Sequence, residues 1–255
     1  MSPIFFRNDD VTDLTSQLQQ VTTLFLEEGL PLHHSVIPQQ ATADLVGWLG
    51  KLAADHPTLI GVDLHGWDHE TIKNLPEFGA HVPEAVQREH LQRGGRWMSE
   101  RFGSNFSGIL VPPHNSYNRT TVRILDELGF RGLSGWARMQ SPLMRIAQPA
   151  LYGLNKGELW AWNGKRFPGS HIVQCSITID PVVDYRSKTF RSVEDVIANL
   201  DSSEGAIQGI GLHAWLFEDG QMDWLRRFLR QMRGRTVVRM SDIVAAAWAQ
   251  TQTNP

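Results

Sequence analysis

The chain has 255 residues, a formal net charge of −3 and a single cysteine, Cys175. Its length allows one large α/β domain or two small ones, and the near-balanced charge without a basic run argues against nucleic acid as the main partner. One cysteine rules out an intrachain disulfide, and no stretch approaches the roughly 18 apolar residues of a membrane span.

The opening "MSPIFFRNDD" has neither a basic start nor a long apolar run, so no signal peptide is expected and a cytoplasmic location is the simplest reading. Strand Pro3–Arg7 is predicted first, then helix Leu14–Glu28. In that helix Leu14, Leu18, Val21, Leu24 and Phe25 keep the helical period, and Gly29 stands at the expected C′ position. Taken alone, Asn8, Asp9 and Asp10 read as a turn, with Asp10 or Asp13 as the helix cap. Strand His33–Ile37 and helix Gln39–Asp55 follow, then strand Thr58–Leu64 and helix Pro83–Phe102. Next come strand Phe106–Val111, helix Arg119–Leu128 and strand Arg131–Ser134. The stretch 135–170 is the least regular and reads as an insertion or lid. Beyond it lie strand Ile172–Thr178, helix Val193–Leu200, strand Gln208–His213, helix Met222–Met232, strand Thr236–Arg239 and helix Ser241–Ala249. Repeated β-then-α order predicts one α/β domain over 1–255, a parallel (β/α) barrel with right-handed crossovers.

In such a barrel the chemistry sits at the C-terminal ends of the strands, and four predicted strands end in polar clusters. These are "NDD" at 8–10, "HGWDHE" at 65–70, "PPHNSYN" at 112–118 and "HAWLF" at 213–217. His65 and His69 are four apart, a spacing that on a helical turn places both imidazoles on one face. Two imidazoles and one carboxylate make a familiar zinc set, with Asp10 the carboxylate from a neighbouring strand end. Asp9 is then free to act as general base. A His-His-Asp set suits Zn and also Co, Mn, Ni or Fe.

In order along the chain, "RNDD", "HGWDH", "VPPHNSYNRTTVRILDELGF" and "GIGLHAW" resemble the motifs of the NodB-type polysaccharide deacetylases. The resemblance spans Asp9 to His213. It implies a distorted (β/α) barrel of about seven strands and hydrolysis of an N-acetyl amide of a saccharide or small molecule by a metal-activated water. Asp10, His65 and His69 are implied as metal ligands and Asp9 as base. The His114 backbone N–H is implied as oxyanion donor and His213 as the acid that protonates the leaving amine. Val111 stands where the family has an arginine that positions the base, and Arg7 is the candidate substitute. His114 stands where the family has tyrosine. Arg7, Trp67, Tyr117 and Trp215 are the candidate substrate-contacting residues, and Asp180 is a candidate to orient His213. Two other readings remain open at this stage. One is a cyclic-amide or other C–N hydrolase on a non-sugar substrate. The other is an inactive barrel that binds carbohydrate through some of its nine tryptophans. No oligomeric preference is legible.

Overall fold

A computed structural model describes residues 2–69, 75–137, 149–156, 158–159, 163–202 and 206–250. Seven parallel strands form one curled sheet. They are β1 (Ile4–Val11), β2 (Leu32–Val36), β3 (Ile60–Leu64), β4 (Phe106–Leu110), β5 (Gly132–Leu133), β6 (Val173–Gln174) and β9 (Gln208–Leu212), in the order β6-β5-β4-β3-β2-β1-β9. Helices α1 (Ser16–Glu27), α2 (Ala43–Asp55), α3 (Glu84–Phe102) and α4 (Arg119–Glu127) are the crossovers between the first five strands. Helices Val193–Asp201, Asp219–Arg230 and Met240–Ala249 lie farther along the chain.

Side chains alternate across β1. Phe6 packs edge-on against Phe25 of α1 and Phe228, at centroid distances of 5.0 and 6.1 Å. Phe5 points the other way, into a cluster with Ile109, Val173 and Met240. Arg7 and Asp9 share its parity and continue along the inner face toward the C-terminal mouth. The two edges of the sheet are joined by an irregular segment rather than a full ladder. Ile177 N–H donates to Gly135 O at 3.0 Å, while Thr178 N–H donates to Gly209 O at 2.8 Å. A Cβ on Gly209 would lie 2.7 Å from Ser176 O and 2.3 Å from the Phe5 ring, so only glycine lets the backbones approach here.

The predicted barrel of about seven strands is therefore the observed architecture, with four local differences. Strand β1 runs on to Val11 rather than ending at Arg7, so Asn8, Asp9 and Asp10 lie within it and not in a turn after it. Thr236–Arg239 is not a strand: Val237 makes one isolated bridge to Ile4. The antiparallel hairpin β7 (Val182–Asp184) with β8 (Thr189–Phe190) was not expected. Helix α1 is capped by Thr15, whose side chain accepts from Leu18 N–H, rather than by Asp10 or Asp13. The expected insertion over 135–170 includes 138–148, 157 and 160–162, which lie outside the described residues, as does Glu70. No helix among the described residues is long and apolar enough to cross a membrane.

Candidate active site

Adjacent strand residues should face opposite ways, yet Asp9 and Asp10 both reach the barrel mouth. A β-bulge is the reason. Asn8 pairs with His34 and Val11 with Val36, so β1 spends one residue more than β2 over the same stretch. Asp10 sits at φ 58°, the left-handed region that tolerates aspartate better than most L-residues. The bulge turns the Asp10 carboxylate back to the side that Asp9 already occupies.

Asp10 is the hub. His65 Nε2 lies 3.1 Å and His69 Nε2 3.3 Å from its Oδ1, and His213 Nε2 lies 3.7 Å from its Oδ2. Trp215 Nε1 donates to the same Oδ2 at 3.3 Å. The His65 Nδ1–H donates to Val111 O at 2.9 Å, which fixes the ring so that Nε2 faces the acid. Burial alone would raise the Asp10 carboxyl, but hydrogen bonds from His65 and His69 and the nearby imidazole charges hold it far below the ordinary carboxylate range. Burial likewise lowers the His65 imidazole, and its bond to Asp10 with the charges of Asp9 and Asp10 reverses this to a net rise. His65 and His69 do not lie on a helical turn as their spacing suggested. They belong to a loop in which Gly66 (φ 70°) and His69 (φ 61°) reverse the chain.

Asp9 has a separate environment. Arg7, two residues earlier on the same face, is wholly buried and donates from Nη2 to Asp9 Oδ2 at 2.7 Å and to Asn115 Oδ1 at 3.0 Å. Its Nη1 donates to Ser134 Oγ at 2.8 Å and to the Ser134 carbonyl. Burial would raise the Asp9 carboxyl; the Arg7 charge, then His65 and His213, hold it below its ordinary value. The other oxygen, Oδ1, is buried and has no hydrogen-bond partner among the described residues.

His114 and Asn115 stand at φ 55° and 56° in the turn after β4. The Asn115 and Ser116 N–H groups close that turn on Pro112 O and Pro113 O, and the His114 N–H takes no part in it. The His114 ring lies 4.9 Å from that of His69. Burial, and then the His69 charge, push its imidazole pKa down.

These groups open onto a cleft of about 610 Å³, walled by Trp136, Ile177, Tyr185 and Trp215, with Glu158 and Asp180 at its margin. A groove of about 340 Å³ continues from Asp9, Asp10 and His69 along Thr12, Asp13 and Gln40. Of the residues expected to contact substrate, Trp215 lines both spaces. Three expectations are corrected. Arg7 is fully buried and holds Asp9 instead of facing the cleft. Tyr117 is 1% exposed and donates its O–H to Leu159 O at 2.5 Å beneath the site. Trp67 faces helix α3, with the Arg93 guanidinium 4.4 Å over its ring. Asp180 does not hold His213: its oxygens accept from Tyr185 O–H at 2.6 Å and Val182 N–H at 2.8 Å. Tyr185 packs edge-on against the His213 ring at 5.2 Å, and His213 Nδ1 has no hydrogen-bond partner among the described residues. Tyr185 and Asn115 were not singled out from the sequence, although Asn115 adjoins His114 and Tyr185 stands five residues after Asp180.

No family model and no curated protein matches this chain. Among solved structures, a protein assigned as a polysaccharide deacetylase from Mycobacterium smegmatis superposes with a TM-score of 0.65 at 18% identity, covering 92% of this chain and 78% of that one. The fold is that of the polysaccharide deacetylases. A family 4 acetyl xylan esterase from Clostridium thermocellum, solved with a cobalt ion, shares this deacetylase fold with a TM-score of 0.55 at 11% identity, covering 96% and 90% of the two chains. A CE4 family pseudoenzyme from Bacillus anthracis does so with a TM-score of 0.57 at 11% identity, covering 96% of this chain and 65% of that one.

Proposed function

We propose that this chain is a metal-dependent deacetylase that hydrolyses the N-acetyl group of a saccharide or a related small amide. The observation that carries the reading is the convergence of His65 Nε2, His69 Nε2 and the Asp10 carboxylate beside a second carboxylate, Asp9, whose Oδ1 is unpartnered. The donor atoms of Asp10, His65 and His69 lie within 4.8 Å of one another, and two imidazoles with one carboxylate form a ligand set that leaves positions for water and substrate. Zinc fits this set best by ligand type, with Co, Mn, Ni and Fe as further candidates. When bound, the ion would polarise the acetyl carbonyl and make water acidic enough to lose a proton near neutral pH.

The remaining steps belong to the chain's own residues. Arg7 keeps Asp9 ionised and fixes its Oδ2, so Oδ1 is the atom that accepts the proton of the attacking water. The His114 N–H supplies a donor for the developing oxyanion. His213, on the far side of Asp10, delivers a proton to the departing amine. General acid and base groups of this kind contribute roughly 10²- to 10⁴-fold each. Trp215, Tyr185 and Trp136 offer flat apolar faces of the kind that sugar rings pack against.

Acetate release from N-acetylated sugars tests the reading, with O-acetylated sugars and cyclic amides run in parallel. Turnover of an N-acetyl sugar that is lost in Asp9→Asn and His213→Ala supports it. Turnover confined to cyclic amides would replace the acetyl group by another C–N bond. Carbohydrate binding without turnover under any divalent metal would identify an inactive barrel.

A further inference from the structure

The loop Gly66–His69 has to present the His69 imidazole from a left-handed backbone that a non-glycine residue adopts only when its surroundings impose it. Its backbone polar groups show what does so. The Trp67 N–H donates to Glu77 Oε1 at 2.7 Å, and the His69 N–H donates to Glu77 Oε2 at 3.2 Å. On the opposite side, Trp67 O accepts from Gln39 N–H at 3.0 Å, and Asp68 O accepts from Gln40 Nε2 at 2.6 Å. The Glu77 side chain is wholly buried, and His90 of α3 donates from Nδ1 to its Oε1 at 2.8 Å. Gly66 makes room for this carboxylate: a Cβ there would lie 2.1 Å from Glu77 Oε2 and 2.7 Å from Pro113 Cγ.

Asp68, Glu77 and His90 also bring donor atoms within 4.8 Å of one another, as a cation cluster would. Both Glu77 oxygens, however, already accept N–H groups. A buried carboxylate engaged in this way is an anchor for the backbone it binds.

We propose that Glu77 is a positioning residue for the metal centre: it clamps Trp67 and His69 by their backbone N–H groups, braced by His90, so that the His69 imidazole meets Asp10 and His65. This rests on the metal reading above for its consequence but not for the clamp itself. Groups that orient metal ligands typically change metal affinity by about 10- to 100-fold.

The test uses metal-free full-length protein, zinc titrations by calorimetry, and hydrogen exchange at the Trp67 and His69 amides. Glu77→Gln keeps the shape but puts an NH₂ group where one N–H acceptor stood. It should weaken zinc by about 10- to 100-fold and speed exchange at both amides while core amides stay protected. Gly66→Ala, which keeps the carboxylate but displaces it, should do the same and carries the test if Glu77→Gln does not fold. Wild-type zinc affinity in both variants, or unchanged protection of the two amides in Glu77→Gln, would overturn the proposal. If the wild type bound no zinc, the metal reading would fall, and the amide protection alone would decide the clamp.

Discussion

Replacing Arg7 by methionine removes the only cation beside Asp9 on its own strand. The guanidinium is 0% exposed and serves Asp9, Asn115 and Ser134 at once. Methionine fills most of the volume, so the loss is electrostatic rather than a cavity. Removing one partner of a buried ion pair costs about 3–5 kcal/mol because the other charge is left uncompensated. For a chain of this size, about 1 kcal/mol shifts the melting temperature by about 2–4 °C, so Arg7→Met should melt on the order of 10 °C below wild type. Asp9 then keeps the burial that raises its carboxyl and loses the largest influence that lowers it. The acid limb of kcat/KM should move to higher pH, as expected of a base that must be ionised to act. Arg7→Lys retains the charge but not the fork that binds several acceptors, and it should fall between the two. Thermal melts followed by pH–rate profiles on an active substrate check both effects. A Arg7→Met protein that melts within 2 °C of wild type, or keeps the wild-type acid limb, would refute the reasoning.

Two further outcomes follow from other parts of the molecule. His34 is fully buried; burial, and then the His33 charge, lower its pKa to about 3. Its Nδ1 meets Asn8 Nδ2 at 3.3 Å and its Nε2 meets Thr22 Oγ1 at 3.4 Å, bonds that suit the neutral ring. The unfolded chain takes up this proton near pH 6.5 and the folded chain only near 3, so His34 removes stability as pH falls through that window, by about 1.4 kcal/mol per unit. His34→Gln should flatten this part of the dependence, seen as a smaller difference between melts at pH 7 and pH 4; an unchanged slope contradicts it. Trp215 is 43% exposed at the cleft and donates to Asp10. Trp215→Ala should raise KM roughly fivefold, corresponding to about 1 kcal/mol of aromatic packing, and a variant with wild-type KM would show that substrate bypasses this wall.

The barrel was legible because hydrophobic periodicity and helix stops report directly on strands and crossovers. Strands β3, β4, β5, β6 and β9 needed only trimming at their ends, β2 is shifted by one residue, and β1 runs four residues past its predicted end. The site was legible because Asp9 and Asp10 lie in the last residues of a strand and His65, His69, His114 and His213 follow strand ends, where a barrel gathers its polar groups. What stayed hidden depends on geometry that alternation and spacing do not encode. Asp10 joins Asp9 through a bulge, and His69 joins His65 through a loop with two left-handed residues. Trp67 and Tyr117 neighbour motif residues in sequence, yet their rings point to helix α3 and to Leu159. Tyr185 sits on a short hairpin whose turn, with Lys188 at φ 50°, carries no glycine to announce it. Glu77 lies in "NLPEFGAH", a stretch without a motif, and its role becomes visible only through the two N–H groups that reach it.

The most direct test of the central claim is the metal stoichiometry and affinity of the purified chain, set against Asp10→Ala and His69→Ala. The account predicts about one zinc-like ion per chain in the wild type, bound by the two imidazoles and the carboxylate that converge at the barrel mouth. Both variants should lose it while keeping their fold, and a chelator should abolish wild-type turnover, with added zinc or cobalt restoring it. A wild type that binds no divalent ion after reconstitution, or variants that bind it as tightly as the wild type, would contradict the account.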